Sequence, residues 1–238
     1  MEGIGDEYPD GNPRGWADRV AEGLAARLDE PVYYANFAIR GRILKPIATE
    51  QLDAALALAP KPDLILFNGG GNDMLRPTFS VSKLMRLTRA AIAKCEAAGV
   101  PLVFVTGASP TDHLPLAKLM SGRGAAYMEA ARNLVATTGN ILINNWDDPE
   151  TSDLRYWAED RLHLGPLGHE RVAANVLTHL GYPTPMPPPG EPAAAPSRDS
   201  QREYRREHIL PYVGRRLRSR STGLGVLPKF PTWHLMER

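Results

Sequence analysis

Four short runs of apolar residues, rich in β-branched and aromatic side chains, constrain the fold of this chain more than any other feature. The runs lie at residues 32–37, 64–67, 102–106 and 141–144. Each is continuous rather than alternating, which is typical of strands covered on both faces. Helical patterns separate them, at residues 13–28, 47–58, 80–98, 122–136 and 166–180. This alternation predicts the α/β class, with a parallel sheet and helices on both of its faces.

The sequence is apolar enough to bury a sizeable core, since 43% of its 238 residues are hydrophobic and 23% are charged. This balance excludes a wholly disordered chain and a small scaffold held together by disulfides. The single cysteine, Cys95, excludes an internal disulfide and a multi-thiolate metal site. No run approaches the roughly 18 apolar residues of a membrane span, and residues 1–6 lack a secretory pattern. The expected location is therefore the cytoplasm.

Composition divides the chain into three parts. Residues 1–182 carry the strand and helix patterns of an α/β domain. In residues 183–196 seven of fourteen are proline, which predicts a stiff, extended linker. Residues 197–238 form a basic extension with 10 Lys and Arg against 4 Asp and Glu. The preceding 196 residues hold 18 and 23, so the two regions carry opposite net charge.

The basic extension admits two interpretations. Ser200 and Glu203 have the spacing of a capping box, which would open a helix that Pro211 then breaks, whereas residues 219–238 show no period. The arginines of the extension suit contacts with the phosphates of a nucleic acid. Its apolar residues suit docking on the acidic body instead. Docking is the favoured interpretation, so a nucleic-acid partner is not expected, and the oligomeric state stays open.

Two loops that follow predicted strands carry hydrogen-bond donors, at the sheet edge where parallel sheets bind ligands. Asn72 lies in the glycine-rich loop 68–73, and its side-chain amide would suit an oxyanion. The alternative is an ordinary glycine-rich turn in which Asp73 caps the next segment. Gly41 follows the first predicted strand and would present a backbone N–H beside that loop. A lone glycine is more often a simple turn residue, so this second signal is weak.

A carboxylate and a histidine lie three residues apart in the segment Asp160-Arg161-Leu162-His163. In a tight turn, Asp160 can accept a hydrogen bond from one ring nitrogen of His163 and leave the other free as a general base. The alternative is a surface ion pair that leads into a helix. There is no second histidine nearby at metal-ligand spacing, so a zinc site is disfavoured.

Taken together, these motifs resemble signature blocks of the SGNH, or GDSL-like, hydrolases. The similarity rests on Gly71-Asn72-Asp73, on Asp160-x-x-His163 and on Arg40-Gly41, which occur in the family's order along roughly residues 2–182. The resemblance implies a three-layer, flavodoxin-like fold and hydrolysis of an ester or acyl bond without a cofactor or a metal. It also implies that His163 is the base, that Asp160 orients it, and that Gly41 and Asn72 form the oxyanion hole.

One block of the family pattern is missing. Family members open with a strand that ends in Gly-Asp-Ser, and its serine is the nucleophile. Residues 1–6, Met-Glu-Gly-Ile-Gly-Asp, resemble the stretch that follows this block, which would place the nucleophile before residue 1. The serines at 80, 82, 109, 121 and 152 lack the required strand–turn–helix setting. The expectation is a chain without its first strand and nucleophile, inactive as given.

The sequence thus leaves three functions open. The leading hypothesis is an SGNH-type esterase that acts on a small-molecule acyl ester. The first alternative is a binding protein on the same fold that lacks catalysis, and the second is a binder of nucleic acids or acidic surfaces through the basic extension. Acyl length and leaving group are not encoded in any motif.

Overall fold

In the computed structural model, residues 2–109, 117–191, 198–204, 206–207, 223 and 225–237 are described, and their strands form two sheets. The strands are β1 Tyr33–Asn36, β2 Ile65–Phe67, β3 Leu102–Val105, β4 Ile141–Ile143 and β5 Phe230–Leu235. The first four match the predicted runs, each trimmed by one or two residues. Residues 219–238 show no period in the sequence, yet part of this stretch forms β5.

The helices account for every predicted helical pattern. They are α1 Trp16–Ala25, α2 Leu44–Pro46, α3 Leu52–Leu56, α4 Gly71–Met74, α5 Val81–Ala98, α6 Ala117–Thr138, α7 Pro166–His179 and α8 Arg198–Tyr204. A π-helical segment, Ile47–Gln51, joins α2 to α3. Short 3₁₀ helices, Pro149–Ser152 and Leu154–Tyr156, precede α7.

The helix starts predicted from capping motifs differ from those in the structure. The helix α1 begins after Gly15 rather than at Pro13, because the Asp18 carboxylate accepts a 2.7 Å hydrogen bond from the Gly15 N–H. Asn12 and Pro13 belong instead to the preceding turn, where the Tyr8 N–H donates to the Asn12 carbonyl. In α8, Ser200 lies inside the helix rather than at its start, so the capping box is wrong. Pro211 lies outside the described residues.

The central sheet is parallel, in the order β2-β3-β4. On one face, Phe104 of β3 packs in a core with Leu84 and Ile92 of α5. On the other face, Val105 packs in a second core with Val20 of α1 and Val176 of α7. Helices therefore cover both faces, which confirms the predicted three-layer α/β architecture.

The strand β1 is hydrogen-bonded to β5 and not to the parallel sheet. The two strands run antiparallel, with Tyr33 opposite Leu235 and Asn36 opposite Phe230. A strand edge without a partner leaves backbone groups unsatisfied. The C-terminal strand β5 pairs with backbone groups of β1. The prediction that residues 32–37 form one parallel sheet with the other three predicted strands is therefore wrong.

The C-terminal extension docks on the body through more than its strand. Lys229 forms an ion pair with the fully buried Asp18, at 3.1 Å between Nζ and Oδ1. The Trp233 indole N–H donates to the Pro60 carbonyl at 2.9 Å, next to the segment that leads into β2. The prediction that the extension folds against the body is confirmed for these described residues. Throughout the described ranges, no helix has both the length and the apolar character needed to cross a membrane.

Candidate active site

The segment Asp160–His163 forms a tight turn between the 3₁₀ helix Leu154–Tyr156 and α7. Two backbone hydrogen bonds of 2.8 Å close the turn, one from the Ala158 N–H to the His163 carbonyl and one from the Arg161 N–H to the Ala158 carbonyl. Inside it, Asp160 Oδ1 accepts from the backbone N–H groups of Leu162 and His163, both at 3.0 Å. One carboxylate oxygen thus organises the backbone, and the other is available to the imidazole.

Asp160 and His163 form a short, oriented pair. Asp160 Oδ2 lies 2.5 Å from His163 Nδ1, and the two side chains are 30% and 39% exposed. Burial raises the pKa of the Asp160 carboxyl, but the hydrogen bonds and charge of His163 outweigh it and lower the pKa to about 2. Asp160 is therefore an anion at neutral pH and accepts from the Nδ1–H. Among the described residues, no group hydrogen-bonds to His163 Nε2, which is left to accept a proton.

The loops that carry Asn72 and Gly41 are joined to each other. The Asn72 side-chain amide donates to the Arg42 carbonyl at 3.0 Å, and the neighbouring Asp73 accepts from the Leu44 N–H at 2.7 Å. Gly41 adopts a left-handed backbone conformation, with φ of 72°. Because a primary amide has two N–H donors, Asn72 retains one for a ligand. Asp73 does not simply cap the segment that follows it, since it ties the two loops together.

The N-terminal segment, residues 2–5, contacts the loop of Gly41 at one end and the residue after His163 at the other. The Glu2 carboxylate accepts from the Arg40 backbone N–H at 2.6 Å and from the Arg40 guanidinium. Three residues later, a Cβ atom on Gly5 would lie 2.1 Å from the Leu164 carbonyl oxygen, and Gly5 has φ of 98°. Only glycine fits there. Because three residues span at most about 10 Å, this short segment links one half-site, the loops of Asn72 and Gly41, to the other half-site, the Asp160–His163 turn.

A buried histidine anchors the same segment to the body. The His169 ring, 4% exposed, accepts a hydrogen bond from the Trp16 N–H through Nδ1, at 3.2 Å. Its Nε2 lies 3.0 Å from the Ile4 carbonyl, to which it donates. Burial lowers the pKa of His169 to about 4, so the ring is neutral at physiological pH. With both nitrogens occupied, His169 holds α7, α1 and the N-terminal segment together and is not a second base.

The structure therefore brings the sequence-predicted residues together in two pairs. Asp160 contacts His163, and Asn72 contacts the loop of Gly41. In the described part of the chain, no direct hydrogen bond joins one pair to the other. The sequence analysis did not identify Glu2 as a partner of Arg40, because no short-range pattern connects residues 38 positions apart.

Three of the described serines have hydroxyl partners other than His163. The hydroxyls of Ser80 and Ser82 contact each other at 3.0 Å, and Ser152 donates to the Pro149 carbonyl at 2.7 Å. No serine hydroxyl of the described residues hydrogen-bonds to His163. Within the same residues, no three His, Cys, Asp or Glu side chains are grouped as metal ligands would be.

The three-layer α/β fold of the described residues is shared with esterases and acylhydrolases. The chain belongs to the GDSL-like lipase/acylhydrolase family, whose model matches residues 1–171. No curated protein matches the chain significantly.

Solved structures of esterases share the fold. The psychrotrophic esterase EstA from Pseudoalteromonas sp. is 20% identical, with a TM-score of 0.56 over 70% of this chain and 86% of its own. The lipase Lip_vut3 from a goat rumen metagenome is 18% identical, with a TM-score of 0.58 over 76% and 92%. A variant of Axe2, an acetylxylan esterase from Geobacillus stearothermophilus, is 17% identical, with a TM-score of 0.58 over 75% and 86%. At these identities the likeness shows the fold.

Proposed function

We propose that this protein is an SGNH-type hydrolase of esters or other acyl bonds, in which His163 is the general base and Asp160 orients it. The observation that carries the proposal is the 2.5 Å contact between Asp160 Oδ2 and His163 Nδ1, which directs Nε2 away from the carboxylate. An imidazole held in one tautomer by an anion is the arrangement that acyl transfer requires of a base. Membership of the acylhydrolase family supports the same assignment.

The proposed chemistry assigns a role to each half-site. A hydroxyl oxygen attacks the acyl carbonyl carbon while its proton passes to His163 Nε2, and Asp160 stabilises the resulting imidazolium. The carbonyl oxygen becomes an oxyanion, which accepts from the Gly41 N–H and the remaining N–H of Asn72. The intermediate collapses, and the leaving alcohol takes the proton from His163. Water then repeats the sequence to release the acid, without a cofactor or a metal.

We further propose that the attacking hydroxyl does not come from a serine of residues 1–238, so that the chain as given hydrolyses esters slowly. Among the described residues, no serine hydroxyl forms a hydrogen bond with His163, which supports this step. Hydrogen bonds to the oxyanion alone leave some catalysis, because triad enzymes that lack one triad residue still accelerate the reaction about 10³–10⁴-fold over the uncatalysed rate in water. The substrate class is a small-molecule acyl ester, and the structure favours no particular acyl length.

Four proteins test this function on a short acyl ester: the chain as given, its His163→Ala variant, the chain extended by an apolar strand ending in Gly-Asp-Ser, and the extended His163→Ala variant. We expect equal, low rates from the first two. The extended chain should be faster by orders of magnitude, and His163→Ala should remove that gain.

Two results would change the assignment. Fast hydrolysis by the chain as given, abolished by His163→Ala, would identify another residue of this chain as the nucleophile. A stable extended chain that is inert on every acyl substrate would favour the alternative function, a binding protein on the same fold.

A further inference from the structure

The basic extension contacts the turn that carries the candidate base. The Tyr204 side chain, at the end of α8, donates its hydroxyl hydrogen to the Asp160 carbonyl oxygen at 3.0 Å. The Arg161 guanidinium lies over the Tyr204 ring, 4.1 Å from its centroid. Tyr204 is only 7% exposed, so it is packed between the extension and the body. One side chain thus contacts two consecutive residues of the Asp160–His163 turn from outside it.

The turn needs such a contact because its backbone is strained. Arg161 adopts φ of 54° and is the non-glycine residue with a positive φ in the described chain. For a residue with a Cβ atom this conformation is unfavourable, and it persists only where surrounding contacts compensate. The Tyr204 ring stacks on the side chain of the strained residue itself, and the Tyr204 hydroxyl bonds to the carbonyl of the residue before it. Both contacts are made in the conformation in which Asp160 and His163 are hydrogen-bonded.

The extension also approaches the other half-site. A Cβ atom on Gly223 would lie 2.1 Å from the carbonyl oxygen of Arg40, the residue before Gly41. Such close approach of two backbones leaves no space for a side chain. Described residues of the extension therefore lie against both the turn of the base and the loop of the oxyanion donor.

We propose that Tyr204 is a positioning residue for the Asp160–His163 pair, which makes the basic extension a structural part of the active site. Tyr204 acts through Asp160 and Arg161 and touches no reacting atom. The role rests on the proposed function, since positioning matters only if His163 is the base. The fold alone does not require it, because the α/β core is formed by other elements.

The experiment compares Tyr204→Phe with Tyr8→Phe in the full chain by NMR. Both substitutions remove one tyrosine hydroxyl that donates a hydrogen bond, since the Tyr8 hydroxyl donates to Glu22 at 2.6 Å. Three signals are followed: the pKa of the Asp160 carboxyl from its carbon shift, the ring-nitrogen shifts of His163, and the exchange of the Leu162 and His163 amides. Tyr204→Leu, which also removes the stacked ring, gives a second, stronger perturbation.

We expect Tyr204→Phe to raise the pKa of Asp160 from about 2 towards its ordinary value near 4. The two amides should exchange about fivefold faster, as expected for one lost hydrogen bond, and Tyr204→Leu should increase both effects. Tyr8→Phe should change none of these signals. In the serine-extended chain, Tyr204→Phe should lower kcat and leave KM unchanged.

An unchanged Asp160 pKa and unchanged amide exchange in Tyr204→Phe would overturn the positioning role. So would an active extended chain whose kcat does not respond to Tyr204→Phe. These NMR signals need no activity, so an inert extended chain would contradict the proposed function without deciding the role of Tyr204.

Discussion

At the scale of single residues, charge and hydrogen bonding make two neighbouring histidines behave in opposite ways. His163 is partly exposed and faces an anionic carboxylate, whereas His169 is buried with both ring nitrogens committed to backbone groups. Only the first arrangement leaves a nitrogen for chemistry. Spacing in the sequence identified Asp160 as a partner of His163, because three residues in a turn are neighbours. It gave no partner for His169, whose contacts come from residues more than 150 positions away.

Asp160→Asn should lower the free energy of unfolding by about 1–2 kcal/mol at pH 7. This figure is less than the pKa shift alone implies, because solvent screens the partly exposed pair. The folded pKa of Asp160 is about 2, below its ordinary value. Its stabilisation is therefore present above about pH 4 and is lost as the pH falls towards 2. Urea unfolding at pH 7 and pH 3 measures this. Asp147→Asn, on an exposed aspartate paired with Arg132, is the control and should cost less than about 0.5 kcal/mol. Equal costs for both variants would contradict the prediction.

His169 should make the protein sensitive to mild acid. Its folded pKa of about 4 lies below the ordinary 6.5, so the unfolded chain binds a proton first. Stability is then full above about pH 7 and falls as the pH drops from about 6.5 to about 4, by about 2 kcal/mol between pH 7.5 and 5. His169→Gln should remove most of this pH dependence in denaturant unfolding, and His179→Gln, on an exposed residue of the same helix, should not. Identical pH profiles for the wild type and His169→Gln would rule out this role.

At the scale of secondary-structure elements, strand pairing is what the sequence described least well. The pattern of residues 32–37 correctly predicts a strand, but nothing local specifies its neighbour. The structure pairs β1 with β5, a segment that begins almost 200 positions later, and buries the Lys229–Asp18 ion pair beside the junction. No local pattern in the sequence singles out Asp18 as the partner of Lys229.

Lys229→Met should destabilise the protein by about 3 kcal/mol at pH 7, because it leaves the Asp18 carboxylate buried without a counter-charge. Burial already raises the pKa of Asp18, and loss of Lys229 should raise it further. The cost should therefore shrink as the pH falls and Asp18 becomes protonated. Thermal unfolding between pH 4 and pH 8 measures the trend. Lys61→Met, which removes an exposed lysine bonded to the Ala98 carbonyl, should have little effect at any pH. A cost for Lys229→Met that does not vary with pH would argue against the ion pair.

At the scale of the whole molecule, the acidic body and the basic extension form one folded unit in the described residues. The extension contributes β5 to β1, Lys229 to Asp18 and Tyr204 to the Asp160 turn. The apolar residues of the extension and the opposite net charge of the two regions made docking the favoured interpretation of the sequence. The actual contacts are specific and partly buried, which general attraction between charges does not produce.

Removal of residues 197–238 should lower the melting temperature of the remaining chain by about 10 °C, since about 3 kcal/mol is lost and each kcal/mol shifts the midpoint by about 2–4 °C. The reasons are the unpaired edge of β1 and the uncompensated charge of Asp18. Differential scanning calorimetry of the two proteins checks this. An extension that a protease removes at once, with no change in the melting temperature of the body, would contradict the docking.

Local sequence patterns predicted four of the five strands of the described residues and every long helix, and they suggested the chemistry of the candidate site. Continuous apolar runs and helical periods are local properties, so they predicted the α/β class, and the motifs around Asn72 and Asp160 predicted donors and a base. The tertiary structure decided which distant segments meet. The pairing of β1 with β5, the N-terminal segment between the two half-sites and the contact of Tyr204 with the Asp160 turn all join residues far apart in the chain. Their partners are selected by burial and by the satisfaction of backbone hydrogen bonds in the complete fold, which no local pattern encodes.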